Sequence, residues 1–219
     1  METVNGKIKS YDETGAVVVV ATYHDTERWL RRNYKECLIV LKDSRTISHE
    51  QRKKAYALLN EISDYMGELP EYVKKLFKLK FIHDQMKGLA DEIFSLSDCD
   101  VTTAKEFITY LVEFIIAHDI PTKVPLVELC EDVRQYVYAC ALNKKCAVCG
   151  KKAELHHVDK IGMGNDRTEV SHLGRKALPL CREHHGEMHD FPVEEFLEKY
   201  HLQPIKIDDK LCKKWRLKQ

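Results

Sequence analysis

Apolar residues near the start of the chain fall into short runs separated by polar segments, a pattern typical of β-strands and turns. Two runs, residues 4–10 and 16–23, flank a polar segment at residues 11–15 that contains Asp and Gly, so a hairpin is expected. Another apolar run lies at residues 37–41. Because β-branched residues suit a pleated, half-buried surface, these runs predict a small sheet.

After these runs the apolar positions recur every three or four residues, which predicts helices with one buried face. Ser48 and Gln51 form a capping-box pattern, in which each side chain satisfies a free backbone group at the start of a helix. We expect this helix to run to about Met66 and to end at Gly67. A shorter helix is predicted over residues 71–83.

A second capping-box pattern, formed by Thr103 and Glu106, predicts the start of a very apolar helix. Prolines then interrupt the chain, and a last helix is predicted over residues 126–142. A segment rich in Cys and His begins shortly after that helix, at Cys146.

The order of these elements favours an α+β fold with two domains. We assign the small N-terminal sheet and several helices to residues 1–135, and the Cys- and His-rich segment to residues 136–219. A chain of 219 residues is long enough for two small domains or one large one.

The formal net charge is zero, which argues against a strong general affinity for nucleic acids. The charge is unevenly distributed: residues 1–135 carry 19 basic and 23 acidic side chains, whereas residues 136–219 carry 16 and 12. The basic end of the chain, residues 210–218, includes Trp215. It can contact a phosphate backbone, although a solubilising tail is the simpler interpretation.

No segment approaches the roughly 20 apolar residues that span a membrane, and the N-terminus lacks a signal pattern. We therefore expect a cytoplasmic protein, in the host cell if a phage encodes it, with reduced thiols. Eight cysteines in such a chain indicate metal binding more than disulfides. Five of them have no close partner in sequence and are expected to be small buried residues: Cys37, Cys99, Cys130, Cys140 and Cys212.

Two pairs of metal-binding residues have the spacing of a structural zinc site. Cys146 and Cys149 stand before Gly150, which allows a tight turn around an ion. Cys181 and His184, with the same spacing, complete a Cys₃His ligand set for Zn²⁺. Because the two pairs are far apart in sequence, zinc would fasten a loop that so small a segment holds poorly by itself.

Four further histidines can form a second metal site. On a helix, His185 and His189 would leave the same face. His156 and His157 read as neighbours on a short strand, where successive side chains point to opposite faces. One of these two can join the helical pair around an ion while the other faces a substrate. Three protein ligands leave coordination positions open for water and a phosphate oxygen.

Less specific interpretations of these histidines also exist. They can be polar residues without a function, or alternative ligands of a single zinc ion. His184 and His185 are adjacent, so either can complete the Cys₃His set.

The segment at residues 146–189 resembles the HNH endonuclease module, a ββα-metal nuclease, in its zinc-knuckle form. Residues 178–189 are particularly similar to the version in phage recombination endonucleases. The resemblance implies hydrolysis of a DNA phosphodiester bond, with His157 as the general base. It implies His156, His185 and His189 as ligands of a catalytic divalent ion such as Mg²⁺ or Mn²⁺, and Cys146, Cys149, Cys181 and His184 as ligands of structural Zn²⁺.

The chain departs from the family pattern at the central Asn. The family has this Asn shortly before the third zinc ligand, and the nearest one here is Asn165. In the family it braces the loop that carries the base; His172 is a second candidate for this role, although a plain loop residue is the simpler interpretation. Four basic residues of this segment can clamp phosphates, or can be ordinary surface residues: Arg167, Arg175, Lys176 and Arg182.

A second resemblance covers residues 37–125. Residues 44–63 look like the central helix of the phage lambda Orf (NinB) recombination-mediator family, and residues 99–121 like a later helix. Such proteins bind single-stranded DNA and help to load recombinases. The resemblance makes Arg52, Lys53 and Lys54 candidates for strand contact, together with Arg45 and Gln51. As consecutive residues, the three cations are equally well a solvated helix face.

The sequence thus predicts a metal-dependent HNH endonuclease that acts on DNA, single-stranded or branched, in phage or prophage recombination or replication. A recombinase or a single-strand-binding protein is a possible partner. The alternative function is a non-catalytic single-stranded DNA-binding mediator whose zinc is purely structural. A third, weaker alternative is an RNA-cutting toxin.

Overall fold

The computed structural model describes residues 6–33, 44–84, 93–158 and 171–218. The chain divides into two compact units, Met1–Lys42 and Asp43–Gln219. Both helices and small antiparallel sheets are present, so the predicted α+β class is confirmed.

The first unit contains an antiparallel hairpin followed by a short helix. Strand β1 (Gly6–Tyr11) pairs with strand β2 (Val17–Ala21), which confirms the predicted hairpin. Helix α1 (Thr26–Arg32) was not predicted, because its roughly two turns contain no buried residue and therefore show no apolar periodicity. The third apolar run, residues 37–41, lies outside the described residues.

Helix α2 (His49–Met66) opens the second unit and begins with the predicted capping box. The Gln51 backbone N–H donates to Ser48 Oγ, and the Ser48 N–H donates to Gln51 Oε1, both over 3.1 Å. At the other end Gly67 adopts a left-handed conformation, with φ of 67°. The predicted start and end of this helix are both confirmed.

Two further helices, α3 (Pro70–Asp84) and α4 (Val101–Ala117), complete the helical core. The capping residue of α4 is Asp100, whose Oδ1 accepts from the Thr103 N–H over 2.8 Å. The predicted cap at Thr103 was wrong. The Thr103 hydroxyl also donates to Asp100. Asp100, which is extended, is therefore the N-cap of this helix in place of Thr103.

Aromatic side chains fill the space where α3 and α4 meet. Phe81 lies in an edge-to-face arrangement with Phe107, with ring centroids 5.4 Å apart, and Phe77 contacts Phe114 in the same way at 4.7 Å. Phe77, Phe81 and Phe107 are almost fully buried. Edge-to-face pairs add to the stabilisation that burial itself supplies.

The single helix predicted over residues 126–142 is in fact two helices, α5 (Leu126–Leu129) and α6 (Val133–Asn143). Cys130 is extended, and Asp132 starts the second helix by accepting from the Gln135 N–H over 3.1 Å. The prediction was wrong because a capping side chain interrupts an otherwise continuous apolar pattern.

Helix α6 connects the helical core with the Cys- and His-rich segment. The buried Tyr136 hydroxyl donates to the Ala147 carbonyl over 2.7 Å, and α6 contacts both α4 and the strand at Lys176–Leu180. A domain boundary between residues 135 and 136 stays a prediction, since both segments lie in the second compact unit.

The C-terminal sheet has the order β3-β4-β5. Strand β3 (Glu154–His157) pairs antiparallel with β4 (Lys176–Leu180), placing His157 opposite Ala177. The two-residue strand β5 (Ile205–Lys206) pairs with the other edge of β4.

Three helices accompany this sheet: α7 (Arg182–Asp190), α8 (Val193–Lys199) and α9 (Asp209–Trp215). Helix α7 directly follows β4 and contacts both β3 and β4. The interpretation of residues 210–218 as a solubilising tail was wrong. Leu211 and Cys212 are buried, and the Trp215 indole N–H donates to the Ala141 carbonyl over 3.0 Å.

The cysteines expected to be buried are mostly within the described residues. Four of them are buried and free of disulfides, as predicted, namely Cys99, Cys130, Cys140 and Cys212. Cys37 lies outside the described residues. Over the described part of the chain, every helix is too short or too polar to cross a membrane.

We expect Ser48→Ala to lower the free energy of unfolding by about 1 kcal/mol, because it leaves the Gln51 N–H without its capping acceptor. Chemical denaturation followed by circular dichroism measures this change. Asn60→Ala, an exposed position within α2, is the control and should cause no loss of stability. A Ser48→Ala protein as stable as the unmodified chain would contradict the role of the cap.

Candidate metal and catalytic site

The first two cysteines of the site lie on a tight turn. The Cys146 N–H donates to the Lys151 carbonyl over 2.7 Å, and the Gly150 N–H donates to the Cys146 carbonyl over 2.9 Å. Gly150 has a φ of 69°, which a side chain would strain. The turn places the thiols of Cys146 and Cys149 close to the second ligand pair, Cys181 and His184.

The second ligand pair comes from the start of α7. Cys181 occupies the N-cap position and His184 lies in the first turn. Cys149 Sγ is 3.7 Å from Cys181 Sγ, and His184 Nδ1 lies 3.6 Å from Cys146 Sγ and 3.2 Å from Cys181 Sγ. Zn–S bonds of about 2.3 Å at tetrahedral angles put two sulfurs about 3.8 Å apart. The donor set and its spacing therefore fit Zn²⁺.

One thiol of this cluster loses its proton readily. Partial burial raises the pKa of Cys181, but hydrogen bonds from the His184 backbone and ring, and from the neighbouring thiols, outweigh burial and lower the pKa to about 7. A metal ligand must be a thiolate, so this environment favours the binding-competent state.

Three histidines form a second cluster beside the first. The ring of His156 lies 4.7 Å from that of His185 and 5.0 Å from that of His189, centroid to centroid. The rings of His185 and His189, at i and i+4 of α7, are 5.1 Å apart, centroid to centroid. A ligand nitrogen from each ring lies within 4.8 Å of the other two. The geometry brings together the residues expected to bind a divalent ion, and leaves His157 out of the cluster.

His156 is suited to metal binding by its protonation state. Burial, followed by the neighbouring His185, His189 and His157, lowers the pKa of His156 to about 4. Its imidazole is therefore neutral at pH 7, the form that offers a lone pair to a metal.

Glu154 is a site residue that sequence reasoning missed. Its Oε2 lies 3.3 Å from His185 Nδ1. When Nδ1 donates to this carboxylate, Nε2 of the same ring carries the lone pair for a metal. Glu154 is two positions before His156 on β3, and the alternation of side chains along a strand could have placed it on the same face.

His157 leaves the strand on the side opposite to His156, as the predicted alternation requires. Its Nε2 lies 2.9 Å from Nδ1 of His172, with ring centroids 4.8 Å apart. The interpretation of His172 as a plain loop residue missed this contact, because sequence does not show which loop residue faces a strand 15 positions earlier.

The basic residues expected to bind DNA are dispersed around the site. Lys176 and Arg182 are exposed, and Arg175 is half-buried with its Nε–H donating to the Ser171 carbonyl over 3.0 Å. Arg167 and Asn165 lie outside the described residues. Contact of these cations with DNA stays a prediction.

The cations of α2 make contacts within the chain. Arg52 donates to the Ser97 carbonyl over 2.6 Å, and Lys54 donates to Glu131 over 2.8 Å. Lys53 is exposed and lies 3.4 Å from Glu50. Their role in strand contact stays a prediction, and the ion pair of Lys54 offers a structural reason for its presence.

Strand β3 and helix α7 carry the histidine cluster, and the turn before β3 completes the Cys₃His cluster with the start of α7. Together with β4, they define a ββα module of the metal-nuclease type. In agreement, the sequence model of the family described as "Putative HNHc nuclease" matches residues 20–218. The chain belongs to this HNHc nuclease family. The match includes residues 37–125, and no comparison shows the second resemblance, to the NinB family. No curated protein and no solved structure is similar enough to the chain to count as a match.

We expect Cys146→Ala to lose bound zinc and the folded state of the C-terminal segment, because apparent zinc-binding free energies of about 10–16 kcal/mol are folding free energy. Metal content per chain and thermal unfolding are the measurements. Cys212→Ala, a buried cysteine outside the cluster, should keep its zinc. Unchanged zinc content and melting temperature in Cys146→Ala would refute the ligand assignment.

Glu154→Ala should weaken Mn²⁺ binding by about 10-fold or more, because loss of an outer hydrogen-bond partner typically costs that much in metal affinity. Titration of the zinc-loaded protein, followed by electron paramagnetic resonance of free Mn²⁺, measures the affinity. Glu194→Ala, an exposed residue of α8, is the matched control. Equal Mn²⁺ affinity in both variants would exclude an orienting role for Glu154.

Proposed function

We propose that this protein is a metal-dependent endonuclease that hydrolyses phosphodiester bonds of DNA. The proposal is carried by the cluster of His156, His185 and His189, with His157 next to it on the same strand. Membership of the HNHc nuclease family supports it. Three histidine ligands leave coordination positions open on a divalent ion, and the proposed ion is Mg²⁺, Mn²⁺ or another divalent ion.

In the proposed mechanism, the two adjacent histidines of β3 have different tasks. When bound, the divalent ion supplies Lewis-acid stabilisation of the charge on the phosphate and the leaving oxygen. His156, His185 and His189 would hold it. His157 takes a proton from the attacking water, because a neutral imidazole accepts a proton on its free ring nitrogen.

A structural zinc ion held by the Cys₃His cluster would support this chemistry through helix α7. Cys181 and His184 lie at the start of the helix, and the next residue, His185, belongs to the histidine cluster. Fastening the first turn to Cys146 and Cys149 would therefore fix the direction in which His185 and His189 leave the helix. In this proposal the thiolate cluster shapes the module and the histidine cluster serves catalysis.

The proposal that DNA is the substrate is supported by positively charged side chains near the histidines. Lys176 is exposed at the start of β4, Arg182 is exposed at the start of α7, and Arg175 precedes Lys176. Such side chains can neutralise phosphates on either side of the reacting one. Single-stranded or branched DNA is the proposed substrate, with Arg167 a further contact.

The biological setting we propose is recombination or replication of phage or prophage DNA, in the cytoplasm of the host. It is supported by the similarity of residues 178–189 to phage recombination endonucleases. A recombinase or a single-strand-binding protein would be the partner in such a process.

Incubation of the zinc-loaded protein with single-stranded, duplex and branched DNA tests the activity. We expect cleavage with Mn²⁺ or Mg²⁺, none with EDTA, and a rate about 10²- to 10⁴-fold lower in His157→Ala, since that is the usual contribution of a general base. His83→Ala, an exposed histidine of α3, should cut at the unmodified rate.

Three outcomes of these experiments would count against the proposal. DNA binding without cleavage under all conditions would favour the non-catalytic mediator. Cleavage of RNA but not DNA would favour a ribonuclease. If His157→Ala kept its zinc and cut as fast as His83→Ala, the base would be another group.

A further inference from the structure

The contact between His157 and His172 has the geometry of a hydrogen bond between two imidazoles. Nε2 of His157 and Nδ1 of His172 are 2.9 Å apart, and both rings are half-buried. Two neutral rings at this distance share a single proton, so one nitrogen must donate and the other accept. No third His, Cys, Asp or Glu joins this pair in a metal-binding group within the described residues.

His172 is held in place by the C-terminal part of the chain. Its backbone N–H donates to the Lys218 carbonyl over 3.1 Å, and its carbonyl accepts from the Arg175 N–H over 3.3 Å. The Gly174 N–H donates to the Ile207 carbonyl over 2.7 Å, which attaches the same turn to the residue after β5. The ring that faces His157 therefore projects from a turn anchored at several points.

The direction of the shared proton decides what His157 can do. If Nε2 of His157 carries the proton and donates it to His172, then Nδ1 of His157 carries the lone pair and can accept a proton. If His172 donates instead, Nδ1 of a neutral His157 is already protonated and cannot act as a base. When a partner fixes the tautomer of a base, fewer molecules are in the tautomer that cannot accept the proton.

We propose that His172 is a positioning residue that accepts the Nε2–H of His157 and so fixes the tautomer and ring orientation of the general base. The inference rests on the proposed nuclease function, in which His157 takes a proton from water. His172 acts through His157 and touches neither the reacting phosphate nor the ion.

Nuclear magnetic resonance of the zinc-loaded full chain, labelled with ¹⁵N-histidine, tests the tautomer without any cleavage. The signals of His157 are assigned from their loss in His157→Ala. We expect the Nε2–H form in the unmodified protein and a mixture of tautomers in His172→Phe, which keeps a ring but no acceptor. His172→Asn, whose amide oxygen can take the position of Nδ1, should restore the Nε2–H form.

Single-turnover cleavage then separates positioning from a structural effect. His172→Phe should lower the single-turnover cleavage rate constant about 10- to 100-fold with the half-saturating DNA concentration unchanged, and His172→Asn should recover most of the loss. In the His157→Ala background His172→Phe should add nothing, because its effect passes through that ring.

The outcomes also distinguish this inference from the proposed function. An Nδ1–H tautomer of His157 in the unmodified chain, or a tautomer unchanged in folded His172→Phe, overturns the inference even if DNA is cut. An equal loss of activity from His172→Phe with and without His157 also overturns it. Absence of cleavage by the unmodified chain overturns the nuclease function, while the tautomer measurement still decides whether His172 positions the ring.

Discussion

The direct junction of strand β4 with helix α7 is the constraint on which the site depends. β4 ends at Leu180 and α7 begins at Arg182, so that Cys181 is the whole connection and also the N-cap of the helix. With no loop to absorb a change in angle, the direction of α7 follows from the pairing of β4 in the sheet. Both clusters depend on this direction, since each takes side chains from α7.

The pairing of β3 with β4 supplies the other half of the geometry. Adjacent strand residues point to opposite faces, so one ring of the His156–His157 pair must face α7 and the other must face away. The register that sets His156 opposite Leu178 decides that His156 faces α7 and that His157 faces away. A shift by one residue would exchange them and would put the ring next to His172 into the histidine cluster. The two different environments of these neighbouring residues are therefore a consequence of strand geometry, and the proposed roles follow from them.

Much of this arrangement was predictable because it is local. The capping box at Ser48, the N-terminal hairpin and the i, i+4 pair on α7 follow from short-range rules. Two misses have a tertiary cause, because Glu154 and His172 contact histidines 31 and 15 positions away. Strand alternation could place Glu154 on the face of His156, but it does not report which helical ring it meets. The break before α6 and the start of α4 have local causes instead, namely the capping side chains of Asp132 and Asp100.

Under the proposed function, the composition of the histidine cluster would explain how a chain of zero net charge acts on a polyanion. Burial keeps His156 neutral, and histidine ligands, unlike carboxylates, would leave the charge of a divalent ion uncompensated. The carboxylate of Glu154 contacts Nδ1 of His185, so its charge would act on the ion through that ring. The attraction for phosphate would then be generated locally and only in the metal-bound state, with Lys176 and Arg182 adding to it at short range. A uniformly basic surface is unnecessary in such a design, because the ion itself supplies the field where the phosphate reacts.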